Sequence, residues 1–247
     1  MRVVATYGIK GGVGKTSTAV NLAALSALEG RRTLLWDLDP QGAAAYLLQV
    51  KPKVKGGSLA LLSGQRELED AVRPTSVDGL DLLPADVSLR SADATLEGAK
   101  KPVRQLSRLL KTVRADYDLV ILDCPPGLTL LSENVFSAVD VLLLPLVPAP
   151  LSLRTYEQVL AFVAEMNGSR PRVHPFFSMV DGRKSLHAEV RAQLMRETTT
   201  LLTGWVPAAS VIERMSLTRQ PVVTSHPSTA AAQAYRVIWA ELSGLLA

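Results

Sequence analysis

Residues 2–37 restrict the fold more tightly than any other stretch. Arg2-Val3-Val4-Ala5-Thr6-Tyr7-Gly8 is a short β-branched run that ends in glycine and reads as a buried strand. Thr16 to Glu29 is rich in Ala and Leu and reads as a helix, with Gly30 where a C-terminal cap belongs. Arg32-Thr33-Leu34-Leu35-Trp36-Asp37 is a second strand. Strand, glycine-rich loop, helix and strand make a βαβ unit, and such units build parallel sheets.

The loop between the first strand and the helix reads Gly8-Ile9-Lys10-Gly11-Gly12-Val13-Gly14-Lys15-Thr16-Ser17. Its end fits the phosphate-binding spacing G-x-x-x-x-G-K-[ST], but Ile9 stands where the first glycine belongs. Gly11, Gly12 and Gly14 let the backbone turn left-handed and approach a ligand closely. Backbone N–H groups then converge on phosphate oxygens at the helix N-terminus. Lys15 is expected on the β- and γ-phosphates of ATP, the Thr16 hydroxyl on Mg²⁺, and Ser17 on the α-phosphate. Lys10 is a second lysine that a single phosphate cradle does not require.

The alternation continues along the chain. Strands are expected at 79–84, 118–123, 139–144 and 173–179. Helices are expected at 103–113, 128–138, 152–166, 186–202 and 229–246. Residues 50–78, with Lys51, Lys53, Lys55 and paired glycines, read as a surface excursion carrying a short helix or two. The expected architecture is one α/β domain over 1–247, a doubly wound, mostly parallel sheet with helices on both faces. Asp37-Leu38-Asp39-Pro40-Gln41-Gly42 and Asp123-Cys124-Pro125-Pro126-Gly127 each follow a strand. Ligands bind at the carboxyl ends of strands in such sheets, so both clusters should face the loop. Asp39 is the candidate for orienting a water in line with a γ-phosphate, and Asp123 for a carboxylate near Mg²⁺.

Composition excludes several classes. The chain has 247 residues, 47% hydrophobic and 20% charged, which suits a globular protein. One cysteine, Cys124, rules out an internal disulfide and a zinc site built on cysteines, and fits a reducing cytoplasm. No run reaches the roughly 18 apolar residues of a membrane span; the stretch 139–150 is broken by Pro145, Pro148 and Pro150. The first residues do not form a signal peptide, and an N-terminal helix-turn-helix is not expected because Lys10 follows Met1 so closely. A formal net charge of +4 permits an anionic polymer as partner without demanding one.

Three segments carry a resemblance to a known family: Lys10-Gly11-Gly12-Val13-Gly14-Lys15-Thr16, Asp37 to Gly42, and Tyr117 to Pro126. They resemble the ParA/Soj branch of the deviant Walker A P-loop ATPases, to which MinD is related. The resemblance implies an ATP-sandwich homodimer in which Lys10 reaches the phosphates held by the other subunit. Lys15 would act within its own subunit. It implies that Asp37 to Gln41 is switch I, with Asp39 tied to hydrolysis, and that Asp123 to Gly127 is switch II. Val180-Asp181-Gly182-Arg183 and Val206-Pro207 resemble family landmarks, which puts Pro207 among the nucleotide-binding candidates. The implied activity is weak, partner-stimulated ATP hydrolysis with Mg²⁺. The implied partners are non-specific DNA and a ParB-like activator, and the implied location is the cytoplasm at the nucleoid. Departures are Ile9 in place of glutamine, Cys124 in place of alanine, and Ala208-Ala209 where relatives carry Arg-Asn.

Non-specific DNA binding needs clustered cations. Candidates are Arg183 with Lys184, Arg214 with Arg219, and Arg170 with Arg172, or else the 51–55 lysines. The alternatives are a MinD-like regulator at a membrane surface and a positioner of a protein assembly. The last helix has an apolar face, Tyr235, Ile238, Trp239, Leu242, Leu245 and Leu246, but no lysine stripe. Core packing accounts for that face better than a membrane does.

Overall fold

The computed structural model describes residues 1–52, 54 and 56–247. Eight strands form one sheet: β1 (Arg2–Thr6), β2 (Thr33–Asp37), β3 (Arg73–Pro74), β4 (Leu80–Leu83), β5 (Leu119–Asp123), β6 (Val141–Leu146), β7 (Arg172–Val180) and β8 (Trp205–Pro207). Their spatial order is β3-β4-β2-β5-β1-β6-β7-β8, all parallel except β3, which pairs antiparallel with β4.

The helices are α1 (Lys15–Leu28), α2 (Ala43–Leu47), α3 (Leu59–Leu62), α4 (Ala92–Glu97), α5 (Gln105–Leu110), α6 (Leu130–Phe136), α7 (Pro150–Glu165), α8 (Ser185–Glu197), α9 (Ser210–Glu213), α10 (Met215–Thr218), α11 (Val222–Ser225) and α12 (Ala230–Leu246).

Two apolar layers follow from strand alternation. Val3, Ala5 and Tyr7 point into one layer with Trp36, Phe136 and Val159. Val4, Leu35 and Ile121 point into the other, beneath α1 and α12. The apolar face of α12 is spent there: Tyr235, Ile238, Trp239, Leu242 and Leu246 are all buried. Each such side chain contributes about 1.5–3 kcal/mol, so this face is core. Among the described residues no helix is long and apolar enough to cross a membrane.

The doubly wound sheet is as the sequence implies, with corrections at its margins. The helix expected over 103–113 is a 3-10 turn at Pro102–Arg104 followed by a short α5. The helix expected to reach residue 202 stops at Glu197, because Thr198 adopts extended backbone. The excursion at 50–78 is half core: Leu61, Leu62, Leu68 and Ala71 are buried, and Arg73–Pro74 adds an edge strand. Strand β8 is an addition the sequence did not suggest, being three residues long. Lys53 and Lys55 lie outside the described residues.

Candidate functional site

The register of the central strands sets the site. Thr6 on β1 and Asp37 on β2 are both Cα partners of Asp123 on β5. The glycine-rich loop, the Asp37–Gly42 turn and the Asp123–Gly127 turn therefore leave the sheet side by side, at its carboxyl edge. They enclose an open cleft of about 660 Å³ lined by Gly11, Gly12, Gly14, Lys15, Thr16, Ser17, Asp39, Pro40, Gln41, Pro125, Pro126 and Met179.

Within the loop, Gly12 and Gly14 have φ of 73° and 92°. Gly14 is doubly required, since a Cβ there would also lie 2.9 Å from Ser178 Oγ. Gly14 is the N-cap of α1 and no side chain caps that end. By contrast, Thr129 caps α6 and Thr229 caps α12. The first-turn N–H groups of α1 are thus left for an anion at the positive end of the helix dipole.

The two lysines diverge. Lys15 is buried and its ammonium donates to the Lys10 carbonyl oxygen at 3.1 Å. Burial pulls the Lys15 ammonium below the ordinary lysine range, while Asp123, Cys124 and Asp39 oppose that shift. The Lys10 side chain is exposed.

The carboxylates also divide by role. Asp37 is fully buried and structural: one oxygen accepts from Asp39 N at 3.0 Å, the other from Ala44 N at 3.2 Å. Burial raises its pKa well above the carboxylate range, and the neighbouring Asp123 adds to that. Asp39 lines the cleft, with Oδ1 accepting from Gln41 N at 3.0 Å. Asp123 is fully buried, and its Oδ2 has no hydrogen-bond partner among the described residues. Burial pushes its pKa up to about 7, the Thr16 hydroxyl pulls it down, Asp39 pushes it up and Lys15 pulls it down. An orphaned buried oxygen beside a hydroxyl and a second carboxylate fits a hard divalent cation such as Mg²⁺.

The turn after β5 is pinned to the loop. Cys124 N donates to Thr6 O at 3.2 Å, and Gly127 N donates to Ile9 O at 3.1 Å. The Tyr7 hydroxyl donates to Gly127 O at 2.8 Å. Ile9 itself is half-buried against the core, so it faces an apolar wall. Cys124 is buried and its thiol pKa is raised by burial, so it stays protonated.

Of the sequence-derived candidates, Lys15, Thr16, Ser17, the loop glycines and Asp39 line the cleft, and Asp123 lies beneath it. Val13 is buried under the loop. Pro207 is not among the cleft-lining residues: it stands on β8, paired with Val180.

The arginine candidates differ in how they are held. Arg219 is turned onto α2, its Nε donating to Tyr46 O at 3.0 Å and its guanidinium 4.7 Å from the Tyr46 ring. Arg183 is held bidentately by Asp181, both bonds 2.9 Å. Arg172 donates to Leu245 O at 2.7 Å and Arg170 to Met166 O at 3.3 Å. Lys184 and Arg214 are exposed. Sequence reasoning missed two site features. Met179 reaches the cleft from a left-handed φ of 56°, which nothing in the sequence signals. Tyr7 bridges to Gly127 over 120 positions, a contact only tertiary structure reveals.

A glycine-rich loop feeding an uncapped helix on a parallel sheet, with aspartates ending two adjacent strands, defines a P-loop NTPase. Comparison places it more narrowly. Residues 1–173 match a family model described as an AAA domain. The chromosome-partitioning ATPase Soj of Thermus thermophilus is 40% identical over 198 residues, covering 78% of this chain and 76% of that protein. The sporulation initiation inhibitor protein Soj of Bacillus subtilis is 34% identical over 194 residues, covering 76% and 77%. A cobyrinic acid a,c-diamide synthase from Mycobacterium smegmatis, solved with bound ADP and magnesium, superposes with a TM-score of 0.83 at 28% identity, covering 98% and 94%. The chain belongs to the ParA/Soj family of P-loop ATPases.

Proposed function

We propose that this protein hydrolyses ATP slowly, dimerises around it, binds DNA without sequence preference, and positions a cargo with the help of an activating partner. The observation that carries this reading is the divergence of the two lysines. Lys15 is buried against its own loop, and Lys10 is exposed, free to act on a second subunit.

Thr16, Asp39 and Asp123 would hold Mg²⁺, which neutralises charge on the β- and γ-phosphates. The chain's own contribution is positional and electrostatic. The α1 N–H groups and Lys15 bind the phosphates. Asp39 orients the attacking water and accepts its proton. Lys184 and Arg214 supply exposed cations for a phosphate backbone. Similarity to the Soj relatives, a chromosome-partitioning ATPase among them, supports the partition reading.

Co-sedimentation with DNA and with anionic liposomes, each with ATP and Mg²⁺, tests it. ATP-dependent, salt-sensitive recovery with DNA alone is expected. Recovery with liposomes and not with DNA would replace it by a membrane-surface regulator.

A further inference from the structure

We infer that Tyr7 is a positioning residue for hydrolysis, its hydroxyl locking the Asp123–Gly127 turn onto the phosphate loop. The inference rests on the ATPase reading above. Gly127 is pinned on both sides of one residue: its N–H donates to Ile9 O at 3.1 Å, and its C=O accepts from the Tyr7 hydroxyl at 2.8 Å. The opposite end of the turn is pinned by Cys124 N on Thr6 O at 3.2 Å. Only Pro125 and Pro126 lie between, with restricted φ and no N–H to give, and both line the cleft. The turn therefore moves with residues 6–9 or not at all.

Tyr7 is suited to act as the clasp. Its side chain is fully buried, so its donor is not competed for by bulk water. The ring meets Phe136 edge-on, centroids 4.7 Å apart at 88°, and Phe136 meets Phe162 at 5.6 Å. Phe136 ends α6, the helix that the turn feeds, so packing fixes the ring from which the hydroxyl reaches. The Gly127 position needs a φ of 99°, which glycine alone adopts without strain. A turn held only by its own backbone preference would be free to swing; the hydroxyl removes that freedom. The second half of the clasp uses the Ile9 backbone carbonyl, while the Ile9 side chain packs half-buried against the core.

Tyr7→Phe tests this, because it keeps the ring and its packing and removes only the hydroxyl, which donates to Gly127 and also meets the Ser132 hydroxyl. The variant is expected to bind ATP with KM within about twofold of wild type and to turn over about fivefold more slowly, the size of one lost hydrogen bond. Hydrogen exchange at the Gly127 amide should accelerate. Ile238→Val, which loosens the packing of α12 in the opposite apolar layer, should lower Tm and leave kcat unchanged.

An unchanged kcat in Tyr7→Phe overturns the inference. So does a KM rising in step with a falling kcat, or an equal loss of kcat in Ile238→Val, since each makes Tyr7 merely structural. If wild type binds ATP without hydrolysing it, the ATPase reading fails. The Gly127 exchange comparison then still decides the clasp, and unchanged exchange overturns it.

Discussion

Arg219 and Tyr46 are joined twice: Nε donates to the Tyr46 carbonyl at 3.0 Å, and the guanidinium lies 4.7 Å from the ring. Gln49 Nε2 returns a bond to Arg219 O at 3.0 Å. Arg219 thus fastens α10 to α2, the helix that begins directly after the Asp37–Gly42 turn. In this arrangement the guanidinium is engaged within the chain.

Arg219→Ala is accordingly expected to cost about 1–2 kcal/mol and lower Tm by about 2–6 °C. The salt dependence of DNA binding should stay as in wild type. Arg214→Ala and Lys184→Ala should each flatten the log–log salt slope by about 0.9 without changing Tm. DNA binding titrated over a salt series, beside thermal melts, separates the two roles.

Asp37 and Asp39 are two positions apart in sequence and sit in opposite environments, Asp37 buried and Asp39 in the cleft. Asp37→Ala leaves two backbone N–H groups, those of Asp39 and Ala44, without acceptors. A loss of about 2–4 kcal/mol in a denaturant melt is expected. A melt unchanged from wild type would mean that the Asp37 bonds do not hold the Asp37–Gly42 turn.

Asp39→Ala should leave folding and ATP affinity near wild type and lower kcat by about 10²–10⁴. Phosphate release under saturating ATP measures it. Wild-type turnover would remove Asp39 from the chemistry.

Lys15→Ala should weaken ATP binding by about 10- to 100-fold, the value of a charge-assisted contact. Equilibrium titration with a fluorescent ATP analogue reads this directly, and unchanged affinity would place the phosphates away from Lys15.

Much of this was legible in the sequence. The order of strands and long helices, the phosphate loop, and both aspartate turns at one sheet edge follow from local pattern, because apolar periodicity and glycine placement are local. Tyr7 was legible only as the end of a strand. Its role depends on Gly127 arriving beside it across the sheet. Arg219 looked like a free cation because exposure and pairing are tertiary properties. Strand β8 was missed because Trp205–Pro207 is too short for alternation to register. Ile9 looked like a defect in the motif, yet it packs half-buried and lends its carbonyl to Gly127.

The central claim is that Lys10 acts across a dimer and Lys15 within one subunit. The most direct measurement is the mass of Lys10→Ala with ATP and Mg²⁺, by analytical ultracentrifugation, in an Asp39→Ala background that slows turnover. The account predicts a dimer for Asp39→Ala alone and a monomer for the double variant, with ATP still bound. A double variant that dimerises as fully as Asp39→Ala alone would contradict it.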